Sequence, residues 1–224
     1  MNIALKNVKL IVLDLDDTLI LERDFAFSAF DFIENHLSIK NLSSTCKNIY
    51  LNETKNNIFN LAFKRLSLEL SESDLQSIIN LYRTHSPDIK LLPDAEQFLV
   101  MARNAKYKLA VITDGFEITQ KNKIEVIGLD KYVDKIIITD SLDPSGVRKY
   151  WKPHARSFDL IEEHFDCRGE ECVYIGDNIN KDFIVPQKKN WSSVLICRNE
   201  GVYSSQESPE GIIKITSLAG LLEN

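Results

Sequence analysis

The stretch VKLIVLDLDDTLI, residues 8–20, decides how the rest of the chain is read. Apart from Lys9, Val8 to Leu13 are apolar on both alternations, the pattern of a strand buried on both faces. The run then ends in Asp14, Asp16 and Asp17, followed by Thr18. Like charges this close repel one another, and burial strengthens the repulsion. A core strand that ends this way needs a compensating positive charge, so the residues that end the other strands become the place to look.

Working outward, residues 22–86 carry a helical pattern with no convincing strand. Ala26, Phe30, Ile33 and Leu37 share one helical face. Ile58, Leu61, Ala62, Arg65, Leu66 and Leu70 suggest a second helix, and SESDLQSIINLY, residues 71–82, opens like a capped third. Beyond Pro87 and Pro93 the pattern alternates. Helices are expected over 93–106, 117–129, 154–165 and 181–190, the third of that set ending near Phe165 and the last interrupted by Pro186. Strands are expected over 107–113, 135–139, 171–176, 192–197 and 211–215, and Gly128 is placed to close a helix in the left-handed conformation. Alternation of this kind implies an α/β fold, a doubly wound parallel sheet with helices on both faces. The expected organisation is a core of residues 1–20 and 87–224, interrupted by an all-helical insert over 21–86.

Composition narrows the function. The net charge is −6, which argues against a nucleic-acid binder. The visibly basic pair Lys188 and Lys189 reads as a solvated helix face. Apolar runs fall far short of the roughly 20 residues that a membrane span needs. Cys46, Cys167, Cys172 and Cys197 show no metal-binding spacing and are expected as free thiols of a cytoplasmic protein.

In open parallel sheets ligands sit at the carboxyl ends of the strands. There the sequence places Asp14, Asp16 and Thr18, then Thr113-Asp114-Gly115, and Gly176-Asp177 with Asp182 further on; Lys152-Pro153 precedes a helix. Residues i and i+2 of a strand point the same way, so Asp14 and Asp16 can share a face. Asp14, Asp16, Asp177 and Asp182 converged at one edge could not all ionise unpaired. A hard divalent cation with oxygen ligands, Mg²⁺ above all, resolves the conflict. Thr113 and the turn at Gly115 offer a hydroxyl and backbone N–H groups to a phosphate, and Lys152 offers it a positive charge.

Taken singly each residue has a plainer reading. Asp16, Asp17 and Thr18 could cap a turn, and Asp17 is left in that role. Lys152 could be a solvated lysine and Asp182 an acidic first-turn residue. His154 and His164 read as surface residues, Trp151 and Trp191 as packing. The plainer readings lose because all the pieces would have to fall in order at strand ends by accident.

That ordered set, Asp14-x-Asp16-x-Thr18, Thr113, Lys152-Pro153 and Gly176-Asp177 with Asp182, resembles the four motifs of the haloacid dehalogenase superfamily, and the helical insert resembles its type-1 cap. The resemblance implies an aspartyl-phosphate mechanism. Asp14 would be the nucleophile and Asp16 the general acid and base. Mg²⁺ would be held by the side chains of Asp14 and Asp177 and the carbonyl of Asp16, with Asp182 and Thr18 in support. Asp114 stands where many relatives carry Asn, and the long approach SLDPSGVRKYWKP leaves Arg148 or Lys149 as alternatives to Lys152. Segments 112–132 and 176–183 look most like acylneuraminate-9-phosphate phosphatases and nucleotidases. The expected activity is Mg²⁺-dependent hydrolysis of a small phosphomonoester, a sugar phosphate favoured. A nucleotide 5′-monophosphate phosphatase or a phosphomutase on the same core is the alternative, and a phospho-binding module without turnover is weighed lightly. Dehalogenation is disfavoured, because it needs neither a metal nor a general acid at Asp16. Arg83 and His85, near the end of the third insert helix, are expected to contact substrate, Arg83 through bidentate bonds to a second anionic group.

Overall fold

Strand β1, Leu10–Leu13, is fully buried along its length and occupies the middle of the sheet. The computed structural model describes residues 7–222; residues 1–6 and 223–224 of the expected core lie outside the described residues. After β1 come helices α1 (Glu22–Leu37), α2 (Leu42–Asn52), α3 (Ile58–Arg65), α4 (Glu72–Thr84) and α5 (Pro93–Asn104). The chain then alternates through β2 (Lys108–Thr113), α6 (Glu117–Val126), β3 (Lys135–Ile138), α7 (Arg156–Phe165), β4 (Cys172–Gly176), α8 (Ile184–Lys188), β5 (Ser192–Ile196) and β6 (Ile213–Ile215). The sheet order is β3-β2-β1-β4-β5-β6 and every pairing is parallel, which is the doubly wound α/β arrangement expected. Strand order reverses between β1 and β4, where such sheets open a crevice beyond their carboxyl ends.

Register brings the strand ends level. Leu13 pairs with Val111 of β2 and with Ile175 of β4, and the Asp14 N–H continues the ladder to the Ile175 carbonyl at 2.9 Å. Asp14 therefore sits beside Gly176 for backbone reasons alone. One sheet face packs Leu10, Val12, Ala110, Ile112 and Tyr174 against Phe158, Ile161 and Trp191. No helix among the described residues is long and apolar enough to cross a membrane. The four cysteines are free and buried.

The chain divides into two compact units, Met1–Glu22 with Lys90–Asn224, and Arg23–Ile89. The second unit has its own core of Ala26, Phe30, Ile33, Leu42, Cys46, Ile49, Phe59, Ala62 and Ile78. It holds four helices where three were expected. Ser, Thr and Asn recur through α2 and are weak helix formers, yet Leu42, Cys46 and Ile49 line one buried face, and that packing outweighs propensity. The helix expected to run on to Leu70 ends at Arg65, with Ser67 left-handed just beyond. Lys189 corrects another expectation: its ammonium pairs with Asp159 and Glu162, each at 2.7 Å, so it fastens α8 to α7 instead of lying free in solvent.

A second fastening closes the far side of the sheet. Asp94, in the first turn of α5, accepts from Arg198 Nη1 at 2.5 Å, Ser217 Oγ at 2.6 Å and the Leu218 N–H at 2.8 Å. Burial opposes its charge, but these donors outweigh burial and lower its pKa. The stabilisation is complete above the ordinary carboxylate range and is lost as pH falls through the lowered native value. Asp94→Ala is expected to cost about 2–3 kcal/mol at neutral pH, since it leaves the buried Arg198 guanidinium, still bonded to the Thr18 carbonyl, without its counter-charge. Chemical denaturation of both proteins checks this: the difference should shrink below the ordinary carboxylate pKa of about 4, and a pH-independent difference would contradict it.

Candidate active site

Lys152 is the pivot of the strand ends. Its side chain is fully buried, and Nζ lies 2.9 Å from Asp14 Oδ1 and 2.7 Å from Asp182 Oδ1. It also donates to Tyr174 Oη at 2.9 Å and to the Ile112 carbonyl at 3.4 Å. Burial works against its charge, but Asp14 and Asp182 outweigh burial and raise its pKa well above the usual lysine value. Neither Arg148 nor Lys149 occupies this position: Arg148 lies over the Phe116 and Trp151 rings, and Lys149 over Tyr150.

The carboxylates divide under this one cation. Burial would raise Asp14, but Lys152, aided by Lys181, lowers its pKa and keeps it ionised. No lysine among the described residues is ion-paired with Asp177. Burial, then Asp14 and Asp182, push it up to about 9. Asp182 is raised as well, chiefly by burial, against the pull of Lys152. Ligand oxygens of Asp14, Asp177 and Asp182 lie within 4.8 Å of one another. An all-oxygen set with more buried carboxylates than buried cations fits a hard divalent cation.

Local backbone places these groups. The turn after β4 folds so that Asp182 Oδ2 accepts the Asn178 N–H at 2.9 Å. A Cβ on Gly176 would stand 2.5 Å from Asp182 Oδ2 and 2.9 Å from the Tyr174 ring, so only glycine lets the turn close. Gly115 has φ +131°, and a Cβ there would meet the Gln120 side chain at 3.0 Å. Gln120 is the bridge of this region, donating to Thr113 Oγ1 at 2.6 Å and to Asp16 Oδ2 at 2.9 Å. Lys123, one helical turn along α6 and buried, reaches Asp16 Oδ1 at 2.7 Å.

Asp114 turns its carboxylate into the protein. Oδ1 accepts from Thr139 Oγ1 at 2.6 Å and from the Lys152 N–H at 3.1 Å, and Oδ2 pairs with Lys181 at 3.4 Å. Its charge is thus met by donors of the neighbouring loops. Thr18 is fully buried; its carbonyl accepts from Arg198 Nε and Nη2 at 3.2 and 2.7 Å, and its hydroxyl has no hydrogen-bond partner among the described residues. Asp17 accepts from the Glu22 N–H at 3.0 Å, the local capping expected of it, and from the Val202 N–H at 2.6 Å, a long-range tie that was not expected.

Arg83 and His85 belong to the second unit. Arg83 stands in the last turn of α4. His85 is buried, its Nδ1 lies 2.9 Å from the Tyr82 carbonyl, and its ring packs 4.8 Å from Phe25 and 5.9 Å from Phe32. Sequence reasoning missed Gln120, Lys123, Tyr174, Lys181 and Arg198. One signal was available for the first two: α6 buries Thr119, Gln120 and Lys123, a polar stripe where a helix against a sheet should carry apolar side chains.

Gly176→Ala should displace Asp182 or Tyr174 and destabilise the protein by about 1–3 kcal/mol. Thermal melts of the two proteins check this, and an unchanged melting temperature would contradict the packing just described.

Comparison with known proteins places these features in a family. The family described as haloacid dehalogenase-like hydrolase matches residues 11–196. The chain is 26% identical over 219 residues to a glyceraldehyde 3-phosphate phosphatase of Methanocaldococcus jannaschii, covering 91% of this chain and 90% of that one. It is 27% identical over 186 residues to the protein of the same name in Pyrococcus abyssi, covering 78% and 75%. A phosphoserine phosphatase of Thermus thermophilus is 34% identical over 92 residues, which is 41% of this chain and 34% of that one. Among solved structures, the HAD phosphatase of Thermococcus onnurineus superposes with a TM-score of 0.59 at 21% identity, covering 94% of each chain. CbbY of Rhodobacter sphaeroides, in complex with phosphate, gives 0.61 at 17%, covering 96% of each.

Proposed function

For this chain, which belongs to the haloacid dehalogenase-like hydrolases, we propose Mg²⁺-dependent hydrolysis of a small sugar phosphate through an aspartyl-phosphate intermediate. The chain is a phosphoric monoester hydrolase. The observation that carries the reading is the buried Lys152 between Asp14 and Asp182, with Asp177 alongside. The names of the relatives, phosphatases of glyceraldehyde 3-phosphate and phosphoserine, favour a small substrate of that size.

In this reading Asp14, held ionised by Lys152, attacks phosphorus, and a P–O bond forms as the bond to the leaving oxygen breaks. Asp16 gives its proton to that oxygen. It then takes a proton from the water that attacks phosphorus, which releases phosphate and returns Asp14 to its starting form. Gln120 and Lys123 hold Asp16 as the carboxylate it becomes once it has given up its proton, and Gln120 orients the Thr113 hydroxyl. Thr113 and the N–H groups of the Gly115 turn, with Lys152, bind the phosphoryl oxygens. Mg²⁺, held by Asp14 and Asp177 and the Asp16 carbonyl with Asp182 and Thr18 in support, would offset negative charge where phosphate meets Asp14.

A panel of small phosphomonoesters, run with and without EDTA, tests this. Turnover should stop on chelation and return with Mg²⁺ or Mn²⁺ but not Ca²⁺, whose larger and looser shell misplaces the nucleophile. Full activity after exhaustive metal removal would reject it. Asp16→Asn should lose most turnover on sugar phosphates and much less on an aryl phosphate, whose leaving group needs no proton. Equal losses on both would contradict the acid role.

A further inference from the structure

The loop from β3 to α7 is longer than the placement of Lys152 requires, and it is built. Asp143 accepts from the N–H groups of Ser145 at 3.0 Å and Lys149 at 3.1 Å, which gathers the arc between them. Within that arc Arg148 has φ +59°, a left-handed conformation that a non-glycine residue keeps only where its surroundings hold it. Its guanidinium carbon lies 4.4 Å from the centroid of the Phe116 ring and 4.8 Å from that of Trp151. The two rings are 6.5 Å apart and nearly perpendicular.

Both rings are fixed in turn. Trp151 Nε1 donates to Asp140 Oδ1 at 3.1 Å, and Asp140 Oδ2 accepts the Glu117 N–H, at the start of α6, at 2.9 Å. Phe116 directly follows Gly115, and Trp151 directly precedes Lys152. The cation therefore rests against rings of the two loops that carry the proposed phosphate-binding groups, the one after β2 and the one between β3 and α7. Because the rings are nearly perpendicular, at most one of them lies face-on to the planar guanidinium, and neither contact is a hydrogen bond of its N–H groups. Those N–H groups make no hydrogen bond or ion pair to any described residue. A guanidinium so held has already lost much of its rotamer freedom, so binding an anion costs less ordering. Its coplanar donors match the two oxygens of a carboxylate.

Resting on the phosphatase reading, we propose that Arg148 is a specificity residue that binds a carboxylate on the leaving part of the phosphomonoester, with Phe116 and Trp151 as its support. A loop stiffened by the stack alone is the competing account, and the two differ in what a substitution changes.

The test uses the full chain with Mg²⁺ and two probes that share a three-carbon skeleton: 3-phosphoglycerate, which ends in a carboxylate, and glycerol 1-phosphate, which ends in a hydroxymethyl group. Wild type should favour 3-phosphoglycerate. Arg148→Gln should raise KM for 3-phosphoglycerate relative to that for glycerol 1-phosphate by about 10-fold or more, the worth of one charged contact. Arg148→Lys should recover only part of the ratio, because it keeps the charge and loses the fork. A wild type that hydrolyses both probes without preference overturns this inference and leaves the phosphatase reading standing. So does an Arg148→Gln variant in which both probes change alike, which is the signature of a stiffened loop. A wild type that hydrolyses no phosphomonoester removes the reading beneath the inference as well.

Discussion

The ion pairs of Lys152 with Asp14 and Asp182 are the interaction on which this active centre depends. Without that ammonium, two carboxylates would be buried side by side with no compensating charge, and breaking such a pair costs about 3–5 kcal/mol. Lys152, even aided by Lys181, cannot offset three carboxylates, and the shortfall appears at Asp177, pushed up to about 9. The protein holds a place with too few positive charges. A site of that kind favours a cation and groups that bring their own compensation, and it keeps Asp14 ionised while it waits.

Topology supplies the convergence. β1 and β4 are neighbours at the point where strand order reverses, so their ends, Asp14 and Gly176-Asp177, meet without any help from side chains. β2, on the other flank, delivers Thr113 and the Gly115 turn. Lys152 comes from the loop after β3, and its own N–H is fixed by Asp114. Two glycines permit the close approaches: Gly115 by its positive φ, Gly176 by the absence of a Cβ against Asp182.

The strand ends were legible in the sequence because a buried strand that stops at a charged residue is rare enough to be noticed, and spacing in the chain maps directly onto position in a parallel sheet. Asp14 and Asp177 are of this kind, while Thr113, Lys152 and Asp182 were read from their order along the chain relative to these two. Groups that reach the same place from a helix face or from inside a strand were not legible. Tyr174 looks like any aromatic residue of a core strand, and only its hydroxyl, 2.9 Å from Lys152 Nζ, marks it out. Gln120 and Lys123 carry a signal in the polar buried stripe of α6, and Lys181 and Arg198 carry none, since their partners lie far away in sequence. In the insert, α2 was missed because its residues favour caps and turns while its stability comes from packing. His85 shows a similar limit: periodicity does not tell an imidazole at a helix end from one tucked among Phe25, Phe32 and Tyr82.

The most direct test of the account is to find where the phosphoryl group goes. The full chain would be incubated with Mg²⁺ and acetyl phosphate, quenched in acid, which preserves an acyl phosphate, and mapped by peptide mass spectrometry. The account predicts the mass of one phosphoryl group on the peptide that carries Asp14, absent when EDTA replaces Mg²⁺. Phosphoryl on another residue, or phosphate release with none trapped on Asp14, would contradict it.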